Sequence, residues 1–181
     1  LDDVEIMIKI IDNFFNDKDL KRVQDFALNK AFYTPCFFDH AIEKNQESHY
    51  GNRFYINTDS ELKNLFITQA ELKFNLKNLK INKTSGIDQR NLNHFKPHTD
   101  SGPPNWIISN ILIMLSGPTA VTNGTVFYVG EENNCSLDMH VGFRENRAIL
   151  FPSDKIHSQH ASKVPNLKRY TATLFVTDYE E

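Results

Sequence analysis

The first part of the chain has the apolar spacing of a strand followed by a helix. Residues 6–10 carry isoleucine at every second position, which is the period of a β-strand with one buried face. Asn16 or Asp17 can cap a helix, because short polar side chains accept hydrogen bonds from the free N–H groups of a first turn. We expect this helix to run to about Asn29. Its buried stripe is predicted to consist of Leu20, Val23, Phe26 and Ala27.

A second helix is predicted further along the chain. Residues 32–55 show no regular period, apart from a short strand predicted over residues 53–56. Thr58 and Glu61 have the spacing of a capping box, which predicts that the helix begins there. We expect it to end before Lys80. Its apolar positions are predicted to be Leu62, Leu65, Phe66 and Leu72.

From about residue 86 the pattern changes to short apolar runs separated by turn residues. Such runs predict strands, and their arrangement indicates an antiparallel sandwich or barrel with the helices packed on the outside of one sheet. We therefore predict an α+β fold with a jelly-roll core. It would be a single domain over residues 1–181, with an N-terminal strand and helix region (1–85) and a core (86–178). The predicted strands are Leu92–His98, Trp106–Leu115, Gly124–Val129, Arg147–Phe151 and Tyr170–Val176.

Composition and charge disfavour several classes of protein. The chain has 181 residues, with 20 Lys plus Arg against 23 Asp plus Glu and a formal net charge of −3. Because the basic residues are scattered, neither nucleic acid nor an acidic membrane surface is an expected partner. No apolar run is long enough to span a bilayer, and we expect no signal peptide. The two cysteines share no motif, which favours a reducing, intracellular environment.

Three residues at two places in the sequence have the side chains of a metal site. His98 and Asp100 are two positions apart, so on an extended strand they leave from the same face. Residues 151–153 read Phe-Pro-Ser at the end of another predicted strand, and His157 follows after three more residues. Two imidazoles and one carboxylate on one side of an iron ion leave the opposite positions open for substrate and oxygen.

Two alternatives to this ligand set stay open. A His-x-Asp pair is a weak signal by itself, and His98 and Asp100 could form a surface pair at a strand end. His160 lies three residues beyond His157 and is the rival third ligand. The spacing from the Phe-Pro-Ser sequence favours His157.

The order of these motifs resembles that of the 2-oxoglutarate/Fe(II)-dependent dioxygenases. The chain has His-x-Asp at residues 98–100, Phe-Pro-Ser-x-x-x-His at residues 151–157 and Arg-x-Thr at residues 169–171. Its nearer likeness is to the prolyl 4-hydroxylase-like branch and to small oxygenases of phage and bacterial origin. The resemblance covers residues 92–176 and implies a double-stranded β-helix, the cupin-like jelly roll, as the core.

The resemblance also implies a role for each residue. His98, Asp100 and His157 would bind Fe(II) and form the catalytic centre, with O2 as a co-reactant. Arg169 would pair with the distal carboxylate of 2-oxoglutarate, because a guanidinium presents a planar fork of donors that matches a carboxylate. Thr171 would donate one more hydrogen bond from the same face of that strand.

The implied reaction couples conversion of 2-oxoglutarate to succinate and CO2 with hydroxylation of a C–H bond. Because Asp100 is a carboxylate where related halogenases have a small residue, hydroxylation is favoured over halogenation. The substrate could be a peptidyl proline or another protein side chain, or a free amino acid or small metabolite. Nucleic-acid repair is disfavoured, since Arg169 is the last arginine of the chain. We expect a cytoplasmic location, or the host cytoplasm if the gene is of phage origin, and the oligomeric state stays open.

Three loops are predicted to form the substrate entrance, and three side chains to line it. The loops are residues 32–55, 101–105 and 131–144, and the side chains are Arg53, Trp106 and Tyr128. The main alternative function is a non-catalytic jelly-roll domain that binds a metal or another ligand, or acts as a sensor. A zinc hydrolase is disfavoured because the sequence has no His-Glu-x-x-His motif.

Overall fold

Two antiparallel sheets share a layer of apolar side chains. The structure is a computed structural model that describes residues 7–37, 49–91, 96–101, 106–120, 122–160 and 168–180. Within these residues, the larger sheet has eight strands and the smaller sheet has three. Met114 and Ile149 of the larger sheet pack with Phe127 and Val141 of the smaller sheet. The predicted α+β class and jelly-roll core are confirmed.

In chain order the described strands are β1 (Lys9–Ile11), β2 (Thr34–Phe37), β3 (His49–Tyr55), β4 (Lys77–Ile81), β5 (Gly86–Asn91), β6 (Ser109–Ser116), β7 (Gly124–Glu131), β8 (Asn134–Gly142), β9 (Arg147–Pro152), β10 (His157–His160) and β11 (Lys168–Glu180). The larger sheet has the strand order β1-β9-β6-β11-β5-β3-β2, with β4 paired to β11, and the smaller sheet has the order β10-β7-β8. An isolated antiparallel bridge between His98 and His157 joins residues 96–101 to β10.

Within the described part of the chain, two α-helices, α1 (Asp17–Asp25) and α2 (Ser60–Phe74), pack on the outer face of the larger sheet. The predicted start of α1 is confirmed, because Oδ1 of Asn16 accepts a hydrogen bond from the N–H of Asp19 at 2.9 Å. A π-helical turn, Phe26–Lys30, continues α1 to the predicted end. None of the helices in these described ranges is long and apolar enough to cross a membrane.

Alternate residues of β6 serve the two faces of the larger sheet, as the period of a strand requires. Ile111, Ile113 and Leu115 belong to the same apolar cluster as the buried face of α2. Leu112 and Met114 face the smaller sheet instead. The inner face of β6 therefore lies over the space between the sheets, where the candidate site is found.

The start of α2 differs from the prediction. Asp59, rather than Thr58, is the N-cap, and its Oδ1 accepts a hydrogen bond from the N–H of Leu62 at 2.9 Å. The hydroxyl of Thr58 donates to the carbonyl of Tyr55 at 2.7 Å. Aspartate is among the preferred N-cap residues and lies one position closer to the helix, so the predicted capping box is wrong.

The predicted apolar face of α2 is confirmed in part. Leu62 and Phe66 are buried, whereas Leu72 is 70% exposed. The buried positions recur every fourth residue, at Leu62, Phe66, Ala70 and Phe74, and this spacing turns Leu72 toward solvent.

Four of the predicted core strands are confirmed as β6, β7, β9 and β11, with ends shifted by a few residues. The strand predicted over Leu92–His98 is not confirmed. The strand in this region is β5, which ends at Asn91. Residues 92–95 of the predicted strand lie outside the described residues. The loop predicted over residues 131–144 is wrong, because β8 occupies most of it and pairs with β7. The other two predicted entrance loops are described only in part, and β2 and β3 lie within the first.

Candidate metal centre and adjoining cavity

The structure brings His98, Asp100 and His157 together at one edge of the smaller sheet. One ligand atom from each residue lies within 4.8 Å of the others. Nε2 of His157 is 3.3 Å from Oδ2 of Asp100, and Nε2 of His98 is 3.8 Å from Oδ1 of the same carboxylate. Two imidazole nitrogens and a carboxylate oxygen this close together can share one divalent ion.

Backbone hydrogen bonds fix the spacing of the three residues. The N–H of His98 donates to the carbonyl of His157 at 3.0 Å, and the N–H of His157 donates back to the carbonyl of His98 at 2.9 Å. The N–H of Asp100 donates to the carbonyl of Ser153 at 2.8 Å. The two histidines are therefore direct cross-strand partners, and Asp100 is held next to the turn that precedes β10.

Both imidazole rings are oriented in the same way. Nδ1 of His98 lies 3.0 Å from the carbonyl of Lys96, and Nδ1 of His157 lies 3.0 Å from the carbonyl of Lys155. A carbonyl only accepts hydrogen bonds, so each Nδ1 carries the proton and each Nε2 keeps a lone pair. Both Nε2 atoms face Asp100, which is the arrangement that a metal ion requires.

The environment favours the protonation states that bind a metal. Burial and the neighbouring His157 lower the pKa of His98 from 6.5 to about 4, so this imidazole is neutral at neutral pH. Burial by itself would raise the pKa of Asp100, but the neighbouring His157, His98 and Arg90 together outweigh it and hold that pKa below 3.8. A neutral imidazole beside an ionised carboxylate is the ligand chemistry of a divalent ion.

Asn110, on the inner face of β6, positions the carboxylate of Asp100. Its Nδ2 donates a hydrogen bond to Oδ2 of Asp100 at 2.9 Å. Replacing Asn110 with alanine should raise the dissociation constant for Mn(II) about 10–100-fold, because outer partners of metal ligands typically contribute that much to affinity. Isothermal titration calorimetry of the metal-free protein measures this constant.

The matched control for this substitution is Ser109→Ala. Ser109 is the preceding buried residue of β6, and its side chain leaves the strand from the opposite face. The control should bind Mn(II) as the wild type does. Equal affinity in Asn110→Ala would show that Asp100 needs no positioning by its neighbour.

The structure places the rival ligand His160 away from this group. His160 ends β10 opposite Gly124, and its ring centroid is 5.5 Å from that of His140. His157 starts the same strand, and its ring packs against Phe151 with the centroids 4.8 Å apart. Three positions separate the two histidines, so they leave the strand from opposite faces.

A cavity of about 90 Å³ adjoins the three ligand residues, and Arg169 and Thr171 of β11 line it. Arg169 is only 2% exposed, and its Nη1–H donates to the carbonyl of Gly124 at 2.7 Å. Its guanidinium also lies over the ring of Phe143, with Cζ 5.2 Å from the ring centroid. Thr171 is equally buried and shares the cavity face of β11 with Arg169.

The guanidinium of Arg169 is a buried charge that no carboxylate of the described residues contacts directly. Within the described residues it forms no ion pair, and its Nε–H has no hydrogen-bond partner. Burial, and then the charge of Arg90, lower the pKa of Arg169 to about 9 although Asp88 acts to raise it. Because an unpaired buried cation is costly, this position is suited to an anionic ligand.

A cluster of three charged residues, of which Arg53 and Arg90 line the cavity, was only partly predicted. Arg53, one of the three predicted lining residues, donates from Nε and Nη2 to the two carboxylate oxygens of Asp88 at 2.7 and 3.0 Å. Arg90 donates from Nη2 to Oδ2 of Asp88 at 3.0 Å. Asp88 and Arg90 were missed, although their alternation in the sequence is a signal that a strand carries them on one face. We call Arg53, Asp88 and Arg90 the arginine–aspartate cluster.

The other two predicted lining residues lie outside the cavity. Trp106 is 72% exposed. The hydroxyl of Tyr128 is hydrogen-bonded to the hydroxyl of Ser158 at 2.9 Å, and Tyr128 itself does not line the cavity. The apolar part of the wall comes from Leu112, Phe151 and Phe175 instead.

Comparison with known proteins identifies the fold through structure alone. No protein-family model matches the sequence, and no curated protein has a significantly similar sequence. A prolyl hydroxylase from Trichoplax adhaerens, solved with a hypoxia inducible factor peptide fragment, matches with a TM-score of 0.63 and 16% identity over 93% of this chain and 82% of that one. The non-heme alpha-ketoglutarate-dependent carbocyclase SnoK from nogalamycin biosynthesis matches with a TM-score of 0.66 and 11% identity over 95% of this chain and 80% of that one.

A third structure, EctD from S. alaskensis in its apo form, matches with a TM-score of 0.63 and 13% identity over 92% of this chain and 71% of that one. The chain therefore has the double-stranded β-helix fold of the 2-oxoglutarate/Fe(II)-dependent oxygenases.

Proposed function

We propose that this protein is an Fe(II)- and 2-oxoglutarate-dependent oxygenase that hydroxylates its substrate. The observation that carries the proposal is the pairing, in one cavity, of the His98–Asp100–His157 ligand group with the buried guanidinium of Arg169. The ligand group is suited to a divalent ion, and the guanidinium of Arg169 is suited to a carboxylate some distance from that ion. A dicarboxylate that chelates the ion at one end satisfies both.

His98, Asp100 and His157 would hold Fe(II) through the atoms that already face one another. Bound Fe(II) with 2-oxoglutarate supplies the oxidising chemistry, in which O2 is consumed, the keto acid becomes succinate and CO2, and a C–H bond is hydroxylated. Because Asp100 would fill a ligand position with a carboxylate, the reaction would be hydroxylation rather than halogenation. Asn110 keeps that carboxylate in place through its hydrogen bond of 2.9 Å.

Arg169 would bind the distal carboxylate of 2-oxoglutarate, and Thr171 would donate a further hydrogen bond to it. The free Nε–H of Arg169 and the adjacent Nη groups form the planar fork that binds carboxylates through two parallel hydrogen bonds. Burial at 2% exposure keeps water from this interaction and strengthens it. Phe151 and Phe175 add an apolar wall that limits the entry of water during the reaction.

The substrate belongs to one of two classes. One structural neighbour is a prolyl hydroxylase in complex with a peptide fragment, which supports a peptidyl, prolyl-type substrate. Another is a carbocyclase of nogalamycin biosynthesis, which supports a small molecule. A nucleic-acid substrate remains disfavoured by the net charge of −3.

The decisive experiment is anaerobic addition of Fe(II) and 2-oxoglutarate to the metal-free protein. The visible charge-transfer band of a chelated keto acid should appear and saturate. In Arg169→Gln the dissociation constant for 2-oxoglutarate should rise at least tenfold, because a hydrogen bond to a charged group contributes about 1.5–3 kcal/mol. The folded state of this variant should be no less stable, since an unpaired buried charge has been removed.

The matched control is Arg22→Gln, which removes an exposed arginine whose Nη2 lies 2.6 Å from Oε1 of Glu61. It should leave the band and its 2-oxoglutarate dependence unchanged. If the wild type binds Fe(II) but the band never appears, the protein is a metal-binding jelly-roll domain without the proposed cosubstrate.

A further inference from the structure

The turn between β7 and β8 reaches the metal centre through the side chain of Glu132. Its Oε1 accepts a hydrogen bond from the N–H of Thr99 at 2.9 Å and another from the hydroxyl of Thr99 at 3.0 Å. Thr99 is the residue between the two candidate ligands His98 and Asp100. A side chain 33 positions away in the sequence therefore contacts the middle of the His-x-Asp motif.

The two ligand segments are anchored to different extents. His157 belongs to β10, which pairs with β7 over four residues. Residues 96–101, which carry His98 and Asp100, belong to none of the described strands, and their pairing with β10 is the isolated bridge between His98 and His157. Their other described backbone hydrogen bond runs from the N–H of Asp100 to the carbonyl of Ser153. The segment with two of the three ligands therefore depends more on single contacts than β10 does.

Glu132 holds the one N–H group of the motif that binds no backbone carbonyl. Of the three successive N–H groups of residues 98–100, the first and the third donate to backbone carbonyls, and the second donates to Glu132. Because the hydroxyl of Thr99 donates to the same oxygen, both the backbone and the side chain of this residue are fixed. Hydrogen bonds to a carboxylate are stronger than those between neutral groups. The carboxylate of Glu132 is therefore a substantial part of what holds the segment.

We propose that Glu132 is a positioning residue of the metal centre, which holds Thr99 so that His98 and Asp100 keep the spacing that a divalent ion needs. The inference rests on the metal centre of the proposed function and adds to it a residue that does not line the cavity. Fixing ligands in the binding arrangement raises affinity, because less conformational freedom is lost when the ion binds. Since coupling between two sites is reciprocal, a bound ion should also hold the β7–β8 turn more firmly.

The first test compares dissociation constants for Mn(II), measured by calorimetric titration of the metal-free protein. Glu132→Ala should raise the constant about tenfold, through loss of both hydrogen bonds to a charged acceptor. Glu132→Gln should raise it less than about threefold, because an amide oxygen can accept both bonds but neutral hydrogen bonds are weaker. Thr99→Val keeps the N–H and removes the hydroxyl, so its effect should lie between these two.

The matched control is Glu131→Ala, which removes the exposed carboxylate next to Glu132 at the end of β7. It should leave the Mn(II) dissociation constant unchanged, because the hydrogen bonds to Thr99 come from Glu132. The same titration measures it. A rise in Glu131→Ala equal to that in Glu132→Ala would show that the negative charge of the turn, rather than its contact with Thr99, supports metal binding.

A second measurement separates positioning from a general loss of stability. In the wild type, Mn(II) should slow hydrogen–deuterium exchange in a peptide that covers residues 131–134, and this slowing should be lost in Glu132→Ala. In urea, the metal-free forms of the two proteins should unfold at nearly the same concentration, because substitutions of exposed residues usually change global stability little. A purely structural role would shift the urea transition and leave the metal-dependent exchange in place.

Three results would overturn the inference: a wild-type Mn(II) constant in Glu132→Ala, a constant in Glu132→Gln as high as that in Glu132→Ala, or metal-dependent protection of residues 131–134 that persists in Glu132→Ala. Absence of saturable Mn(II) binding by the wild type would overturn it together with the metal centre. The charge-transfer band tests the proposed function separately. A wild type that binds Mn(II) but never shows the band contradicts the cosubstrate, and the affinity comparison still decides the role of Glu132.

Discussion

Replacing His157 with alanine should abolish the Fe(II)-dependent conversion of 2-oxoglutarate to succinate. The substitution removes one of three ligand atoms that lie within 4.8 Å of one another. Losing a residue that hydrogen-bonds to a metal ligand typically lowers metal affinity about 10–100-fold. Because His157→Ala removes a direct ligand, metal affinity should fall by more than that. Calorimetric titration with Mn(II) and an assay for succinate measure the two effects.

His160→Ala is the matched control, because His160 is the rival ligand and lies on the same strand. It should retain wild-type metal affinity and succinate release, since its ring packs near His140 rather than beside Asp100. Succinate release at the wild-type rate in His157→Ala, or its loss in His160→Ala, would show that the ligand assignment is wrong.

Replacing Asp88 with asparagine should lower the free energy of unfolding by about 3–5 kcal/mol, the typical cost of breaking a buried ion pair by removing one partner. Asp88 is 1% exposed and accepts hydrogen bonds from both Arg53 and Arg90. Asparagine has nearly the same shape but no charge, so it leaves two guanidinium groups without their shared counter-charge. Urea unfolding of the metal-free protein measures the difference.

Asp138→Asn is the control for Asp88→Asn, because Asp138 forms an exposed ion pair with Lys155, with Nζ and Oδ2 2.7 Å apart. Exposed pairs contribute up to about 1 kcal/mol, so this variant should be nearly as stable as the wild type. If Asp88→Asn lowered the free energy of unfolding by only about 1 kcal/mol or less, the arginine–aspartate cluster would not be held together by charge.

The pH dependence of stability gives a second measure of the effect of Asp88. Burial by itself would raise the pKa of Asp88, but the charges and hydrogen bonds of Arg53 and Arg90 hold it below 3.8. The carboxylate therefore stabilises the folded state fully above pH 3.8 and loses this contribution as the pH falls through the lower, folded-state pKa. The difference in stability between wild type and Asp88→Asn should shrink only on that acid side.

The elements that the sequence predicted well are those whose buried face is apolar. The runs of mostly apolar residues over 147–151 and 170–176 consist of side chains that pack in the core on both faces of the sheet, and β9 and β11 are found there. By contrast, β5 carries Asp88 and Arg90 on its inner face, so its alternation is one of charges and apolar spacing does not reveal it. β8 is an edge strand in which Val141 is the one buried residue, so it has no continuous buried face to produce a pattern.

In the candidate site, too, some residues could be predicted from the sequence and others could not. His98, Asp100 and His157 could be predicted because the pair and the Phe-Pro-Ser spacing are local in sequence. The arginine–aspartate cluster depends on the register of β3 against β5, which pairs Arg53 with Asp88 across a distance of many residues. Such a register follows from the packing of the whole sheet, and no local spacing encodes it.

The reciprocal hydrogen bonds between His98 and His157 join two points of the chain that are about 60 residues apart, and a metal held by both side chains would close the same loop a second time. Bound metal would then act on the folded chain as a disulfide does, as a reversible cross-link that limits how far the two segments can separate. Loss of the ion and opening of the sheet edge would become one cooperative event. Bound metal would consequently stabilise this edge of the folded chain as well as support activity.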